Sequence, residues 1–355
     1  MKVALLAPSK SIHTHKWALF YQQQGIDVKV ITFKDHYSPE NAKEVETWVL
    51  PKWFPGKFSY ISSIFALKKQ LASFQPDILH AHYVSSYGFV GALTNYHPFY
   101  VSVWGTDIYE FPKQNRVNRE IVEFTLKRAD VICSTSHTMA EETKKYTGKS
   151  VEVTPFGVDL SIFRPMEIEK KDTVTIGTVK SLSDKYGIAD LIKAFAIVHQ
   201  QYPNTNLLIV GDGSQRKQYE QLAEMLGVRD VTIFTGRVPN SEVPIYINKM
   251  DVVSIPSTAS ESFGVAAVEA MACGVPVVVS NVGGLPEVVK KDVTGLIVPK
   301  ENPEALAKAF QKLLSDTKLR HQMGKNGIHH VKEHYDWIDN ANGMLKLYEK
   351  TLNGV

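Results

Sequence analysis

Cysteine is nearly absent: Cys133 and Cys273 are the only two in 355 residues, and both lie inside apolar runs. That argues against a disulfide framework and suits a reducing cytoplasm. No cluster of His and Cys has metal-ligand spacing, so no metal site is expected. Long apolar runs are also missing. The longest are strand-sized, which excludes a membrane-spanning helix, and the opening Met1–Ala7 is too short in its apolar core for a signal peptide and reads as a first β-strand. Low-complexity segments and internal repeats are lacking too. Charge is close to balance at +3, yet uneven: residues 1–165 carry 19 Lys/Arg against 15 Asp/Glu, and the remainder 21 against 22. Seven of the twelve His fall in that first half. A mild basic bias without a nucleic-acid motif argues against a nucleic-acid partner and fits an anionic membrane surface or acceptor.

What is present is an ordinary globular composition, 44% hydrophobic and 22% charged, over a length that suits two domains. Short apolar runs (3–7, 28–33, 78–81, 100–103, 131–134, 151–154) alternate with amphipathic stretches (14–24, 62–74, 117–128, 138–146). The second half repeats this with runs at 174–179, 206–210, 231–234, 252–255, 277–279 and 296–298. Such alternation implies α/β folding on parallel sheets covered on both faces. A charged break near Phe163-Arg164-Pro165 places one domain over residues 1–164 and a second over 165–336. Two doubly wound, Rossmann-like domains of this kind are expected to face each other across a ligand cleft.

The densest signal runs from Ser257 to Glu287. A polar loop carrying Glu261, Ser262, Phe263 and Gly264 feeds an Ala-rich helix from about Val265 to Cys273 with Glu269 on it; Gly274-Val275-Pro276 ends the helix before the strand 277–279. A helix start fed by such a loop offers unpaired N–H groups to an anion, and Gly264 lets the backbone come close. Either Glu alone would usually serve the helix dipole. The full string, Ser-x-x-x-Glu-Ser-Phe-Gly, Glu-x7-Glu, Gly-x-Pro-Val-Val and Gly-Gly-x-Pro-Glu, resembles the signature of retaining glycosyltransferases of family four, the group 1 transferases of GT-B fold.

The resemblance implies a nucleotide-sugar donor, UDP- or GDP-linked, no other cofactor, and no metal; the missing Asp-x-Asp removes the usual metal–diphosphate ligand of the other large glycosyltransferase fold. It gives Glu261 the sugar hydroxyls and Glu269 the ribose, with Ser262 to Val265 lining the donor. The family's Arg after the glycine of the strand at Gly177 is Thr178 here, so its cationic role passes to Lys180 and Lys185. Gly211, in the turn Val210-Gly211-Asp212-Gly213, and Val238, in Gly236-Arg237-Val238-Pro239, complete the donor set. In the first domain the family's paired glycines, which close on the donor phosphates and acceptor, are replaced by Pro8-Ser9-Lys10-Ser11-Ile12-His13, its His-Gly, whose His contacts the donor sugar, by Trp104-Gly105 with Asp107 beyond, and its Pro-Asn-Gly turn by Pro155-Phe156-Gly157. His13, Trp104, Asp107 and Gly157 are the expected acceptor-side residues. Of His80 and His82 at the end of one strand, His82 is the expected cleft residue with a catalytic role. The terminal helix 337–352 is expected to cross back to the first domain, as in the family.

The implied reaction is transfer with retention, by front-face displacement, to a glycan or lipid-linked acceptor in surface polysaccharide or glycolipid synthesis. A phosphorylase of the same fold and a non-catalytic nucleotide-sugar-binding subunit are the alternatives. Between Pro51 and Lys69, Trp53, Phe54 and Phe58 are interleaved with Lys57, Lys68 and Lys69, which suits peripheral docking at the inner face of the plasma membrane.

Overall fold

A computed structural model describes residues 1–51, 59–169 and 172–354. The chain divides into two compact units, Met1–Pro155 with Ala341–Val355, and Phe156–Asn340. The charged break at residues 163–165 therefore lies inside the second unit.

The first unit is built on the strands β1 (Lys2–Leu6), β2 (Asp27–Phe33), β3 (Thr47–Leu50), β4 (Ile78–His82), β5 (Phe99–Val103), β6 (Val131–Ser134) and β7 (Glu152–Val153). All are parallel, in the order β3-β2-β1-β4-β5-β6-β7. Its helices are α1 (Ile12–Gln23), α2 (Ser59–Phe74), α3 (Tyr87–Thr94), α4 (Thr106–Tyr109), α5 (Phe111–Gln114), α6 (Arg116–Arg128) and α7 (His137–Lys144).

The second unit has β8 (Val174–Val179), β9 (Thr205–Val210), β10 (Thr232–Gly236), β11 (Val252–Ile255), β12 (Val277–Ser280) and β13 (Gly295–Val298), again parallel, in the order β10-β9-β8-β11-β12-β13. Its helices are α8 (Ile188–Gln201), α9 (Arg216–Met225), α10 (Val243–Asn248), α11 (Val265–Ala272), α12 (Leu285–Val288), α13 (Pro303–Ser315) and α14 (Thr317–His334). The last helix, α15 (Trp337–Leu352), starts in this unit and ends in the first.

Strands buried on both faces explain the continuous apolar runs: β4, β5, β11 and β12 are buried along their whole length. Helix α8 lays Leu191, Ile192, Phe195 and Val198 onto Leu207 and Ile209 of β9 and onto Leu306, Phe310 and Leu313 of α13. The spacing of those four is the one-face pattern of a helix. In both sheets the strand order reverses once, between β1 and β4 and between β8 and β11. Crevices outside the carboxyl ends of strands at such switch points are where open α/β sheets bind ligands.

Two elements of the first unit depart from the alternation read in the sequence. Strand β3 is four residues long and ends before Pro51. Helix α3 carries Gly88 and Gly91, which the sequence pattern does not read as helical. A Cβ at Gly91 would stand 2.7 Å from the Phe99 ring and one at Gly88 would stand 2.9 Å from the Tyr83 carbonyl, so both glycines serve close packing.

The end of α15 is docked on the first sheet by polar side chains. The Tyr348 hydroxyl meets His80 Nδ1 at 2.5 Å and the Tyr21 hydroxyl at 3.1 Å, and Tyr100 donates to the Leu347 carbonyl at 3.0 Å. His80 Nε2 contacts Ser102 Oγ at 2.7 Å, so both ring nitrogens are satisfied inside the core.

Candidate functional site

The loop after β8 and the loop after β11 meet at the second sheet's switch point. Glycines permit the approach. Gly187 has φ +64°, and a Cβ there would stand 1.9 Å from the Pro256 carbonyl oxygen. The Thr258 amide donates to the Lys185 carbonyl at 3.0 Å. From the other side, a Cβ at Gly211 would stand 2.0 Å from the Lys180 carbonyl, and the Lys180 amide donates to Val210 O at 3.0 Å. Gly211 thus seats Lys180 through the backbone.

Lys180 Nζ lies 2.6 Å from Glu261 Oε1, and Ser257 Oγ donates to the same oxygen at 2.7 Å. The side chains of Lys180 and Glu261 are only 13% and 14% exposed. Burial acts to raise the Glu261 pKa. The charge and hydrogen bond of Lys180, the Ser257 hydroxyl and the charge of Lys185 together outweigh it and hold the carboxyl below its usual range. Glu261 is therefore a fixed anion at neutral pH. Both ammonium groups also sit over the Tyr186 ring, Lys180 at 4.7 Å and Lys185 at 5.2 Å. Ser257 and Tyr186 were not among the residues expected from sequence, although they stand four positions before Glu261 and one after Lys185.

The Gly-Gly-x-Pro-Glu segment clamps the Glu261 backbone. Gly283 has φ +53° and a Cβ there would stand 2.1 Å from the Glu261 carbonyl oxygen, while the Gly284 amide donates to that oxygen at 2.8 Å. Gly264, at φ +101°, starts α11 without any side-chain cap. Phe263 is buried against Phe156 and Tyr335, at centroid separations of 6.1 and 5.4 Å, leaving Ser262, Val265 and Glu269 half-buried around the helix start. Val238, past the end of β10, is also half-buried. Among the described residues, no group of three His, Cys, Asp or Glu side chains comes together as a metal site.

Several expected ligand residues have structural work to do. Gly177 lies inside β8, where a Cβ would stand 2.5 Å from the Met250 sulfur, so its missing side chain serves close packing. Gly157 is shut in by Trp337, whose Cα would be 2.3 Å from a Cβ there. Asp107 is buried, and its carboxylate accepts from the amides of Val84, Trp104 and Gly105 at 2.8–3.1 Å. It ties two strand-end loops together and also lines the first unit's switch-point cavity.

His82, expected at the cleft with a catalytic role, is packed among core side chains. It is 1% exposed, its ring lies 4.1 Å from Trp104 and 5.0 Å from His80, and Nδ1 is 3.4 Å from Thr14 Oγ1. Burial, then the neighbouring His80 and His13, push its pKa well below the ordinary value. Trp104 is 8% exposed, with His82 against its ring and Tyr83 and His13 at its edges, so it does not offer an open stacking face. His13 is half-buried with its pKa lowered to about 4 by burial and by Lys16.

The first unit's switch point forms a separate cavity of about 600 Å³, lined by Lys10 and Ser11 after β1, His36 after β2, Ser85 and Ser86 after β4, and Glu110 after α4.

Comparison with known proteins matches residues 162–330 to the model of the glycosyl transferases group 1 and residues 2–136 to that of the glycosyl transferase 4-like domain. A D-inositol 3-phosphate glycosyltransferase of Kribbella flavida is 30% identical over 306 residues, covering 77% of this chain and 70% of that protein. An uncharacterised glycosyltransferase of Methanocaldococcus jannaschii is 32% identical over 65% of this chain, which spans 60% of that relative's length. Among solved structures, sucrose-phosphate synthase from Thermosynechococcus elongatus superposes with a TM-score of 0.85 over 100% of both chains at 23% identity. Anabaena HepE, crystallised in complex with UDP-glucose, gives 0.82 over 100% of both chains at 19% identity. On the matched sequence and its two Rossmann-like units, the chain belongs to the group 1 glycosyltransferases of GT-B fold.

Proposed function

We propose that the chain is a retaining, metal-independent hexosyltransferase that passes a sugar from a UDP- or GDP-sugar to a glycan or lipid-linked acceptor, in cell-surface polysaccharide or glycolipid synthesis. The observation that carries this reading is the Lys180–Glu261–Ser257 cluster, a buried, ionised carboxylate beside two lysines and the uncapped start of α11. The UDP-glucose complex of HepE supports a nucleotide-sugar donor.

In this reading Lys185, Lys180 and the first amides of α11 take up the charge that develops on the departing diphosphate. Glu261 orients the sugar through its hydroxyl groups, and Glu269 accepts from the ribose diol. The departing diphosphate removes the acceptor's proton, and the new bond forms on the face the leaving group vacates. Lysines and amides supply the positive charge, so no metal ion is required. The test is turnover of UDP-glucose and GDP-mannose in excess EDTA, with the first-formed anomer followed by proton NMR. Retention at an EDTA-insensitive rate is expected. Inversion, or a loss that Mn²⁺ or Mg²⁺ restores, sinks the mechanism.

Peripheral membrane docking belongs to the same proposal. Trp53, Phe54, Lys57 and Phe58 lie outside the described residues, but α2 presents Phe65, 74% exposed, beside the exposed Lys68 and Lys69. Helix α3 packs against both α2 and α6, and α6 adds exposed Val117, Phe124, Lys127 and Arg128. Apolar side chains among cations suit an anionic bilayer surface. No described helix is long and apolar enough to cross a membrane. Co-sedimentation with anionic vesicles should fall with salt and in a Phe65→Ser/Lys68→Glu/Lys69→Glu variant; equal, negligible sedimentation throughout favours a soluble acceptor.

A further inference from the structure

Helix α14 carries a charge pattern that its own folding does not use. Its buried face is Arg320, Met323, Gly324, Gly327 and Val331. Opposite them lie Lys318, His321, Lys325, His329 and Lys332, all exposed. At 3.6 residues per turn these five fall within about 80° of arc, a single stripe about 21 Å long. None of the five forms an ion pair among the described residues. Helix α6 shows the ordinary arrangement, with Arg116 and Arg119 each paired to a Glu four positions on. In α14 the places three and four along from Lys318 and Lys325 hold His321, Gln322, Ile328 and His329. The helix has one acidic residue, Glu333, which stands 3.6 Å from the His334 ring, and its capping Asp316 accepts from the Leu319 amide at 2.9 Å. The helix dipole does not account for the stripe: cations suit the last turn, where Lys332 stands, but Lys318 is in the first. Residues 166–355 have no cationic excess, 21 Lys/Arg against 22 Asp/Glu, so the concentration on this face is local.

An exposed line of ammonium groups without carboxylate partners is complementary to an anion. Its shape and composition narrow the class. Docking on a bilayer uses apolar or aromatic side chains among the cations, and holding a nucleic-acid strand uses aromatic rings as stacking platforms. The stripe offers neither, because the apolar Met323 and Val331 of α14 are buried. A line one side chain wide and about 21 Å long suits a linear, hydrophilic polymer with repeated negative charge. In a chain of the glycosyltransferase family, that polymer is a glycan. We infer that the outer face of α14 holds an acidic polysaccharide, with Lys318, Lys325 and Lys332 as counter-ions about 10 Å apart along the helix. The inference goes beyond the donor reading. It needs neither Lys180 nor Lys185, holds for any donor sugar, and uses no residue at either switch point.

The test is the affinity of the full chain for a matched pair, polygalacturonate and its fully methyl-esterified form, which share a backbone and differ in charge. The acidic polymer should bind at least about tenfold tighter at low salt, and the difference should close as salt rises. Lys318→Glu/Lys325→Glu/Lys332→Glu should remove the preference, and Arg at the same three positions should keep it. Lys318→Gln/Lys325→Gln/Lys332→Gln replaces the charge reversal if that variant does not fold, with the melting temperature as the check. Lys68→Glu/Lys69→Glu, on α2, should leave the preference intact, which separates this face from the docking proposed for the first unit. Polyglutamate, single-stranded DNA and anionic vesicles serve as the competing polyanions. Equal affinity for acid and ester, a preference that survives in a folded Glu or Gln variant of α14, or tighter binding of any competing polyanion through the same three lysines overturns the inference.

Discussion

At the scale of single residues, the ion pair between Lys180 and Glu261 governs both stability and chemistry. Its two side chains are 13% and 14% exposed, so removing one partner strands a largely buried charge. Lys180→Met should cost about 3–5 kcal/mol. Glu261→Gln keeps an acceptor for Ser257 and should cost about 1–3 kcal/mol, yet lose on the order of a hundredfold in turnover. Sequence position alone suggests a polar cleft site whose neutralisation leaves the melting temperature almost unchanged; the buried pair reverses that expectation for Glu261. Urea denaturation of both single variants and the double variant checks the pairing, because the double should recover part of the Lys180→Met loss, and strictly additive losses contradict it. Thr178 makes an independent case. Its hydroxyl and that of Ser254 on the neighbouring strand are buried without a hydrogen-bond partner among the described residues. Thr178→Val removes an unsatisfied group at constant shape, so stability should hold or rise by about 1 kcal/mol. A loss of that size in the same denaturation experiment contradicts the assignment.

At the scale of elements, the site is a set of loops that glycines allow to touch. Gly283→Ala puts a Cβ against the Glu261 carbonyl at a φ that L-residues rarely adopt. The prediction is a loss of turnover comparable to Glu261→Gln together with a destabilisation of about 2 kcal/mol; normal turnover in this variant contradicts the clamp. The donor-side string was legible because it is local: Glu261, Gly264 and Glu269 fall on one loop and one helix, and Gly283-Gly284 returns to the same backbone. The β8 and β11 spans were legible as well, as short and mostly apolar runs, and α15 from its amphipathic pattern after Asp336. What was hidden depends on contacts between distant segments. Gly177 and Gly157 read as ligand-binding glycines in the string, and the close packing of Met250 and Trp337 over them is not legible there. Asp107 reads as a free carboxylate until the Val84 amide, from another strand end, is seen to occupy it. Helix α3 escaped notice because its glycines weaken the helical pattern that its packing requires.

At the scale of the whole molecule, histidines couple folding of the first unit to pH. Burial lowers the pKa of His80 to about 3 and of His13 to about 4, and holds His82 well below 6.5. A lowered folded-state pKa means the unfolded chain binds more protons, so stability is full above pH 6.5 and is lost as pH falls toward 3–4. For the fully buried His80 the loss at pH 5 is on the order of 2 kcal/mol. Glu261, also lowered, adds a loss only below the ordinary carboxylate range. The melting temperature should therefore already decline between pH 6.5 and 5, before carboxylates titrate; a flat profile across that interval contradicts the buried, neutral histidines.

The account turns on a diphosphate held by Lys185, Lys180 and the start of α11, with the ribose on Glu269. Thermal shift of the full chain against UDP, GDP, ADP and TDP in excess EDTA reads this directly, because a ligand that binds only the folded state raises the melting temperature by mass action. At least one of the four should raise it by several degrees, and Lys185→Ala and Glu269→Ala should each abolish most of that rise while melting normally without ligand. No rise with any of the four, or a rise that both variants retain in full, contradicts the account.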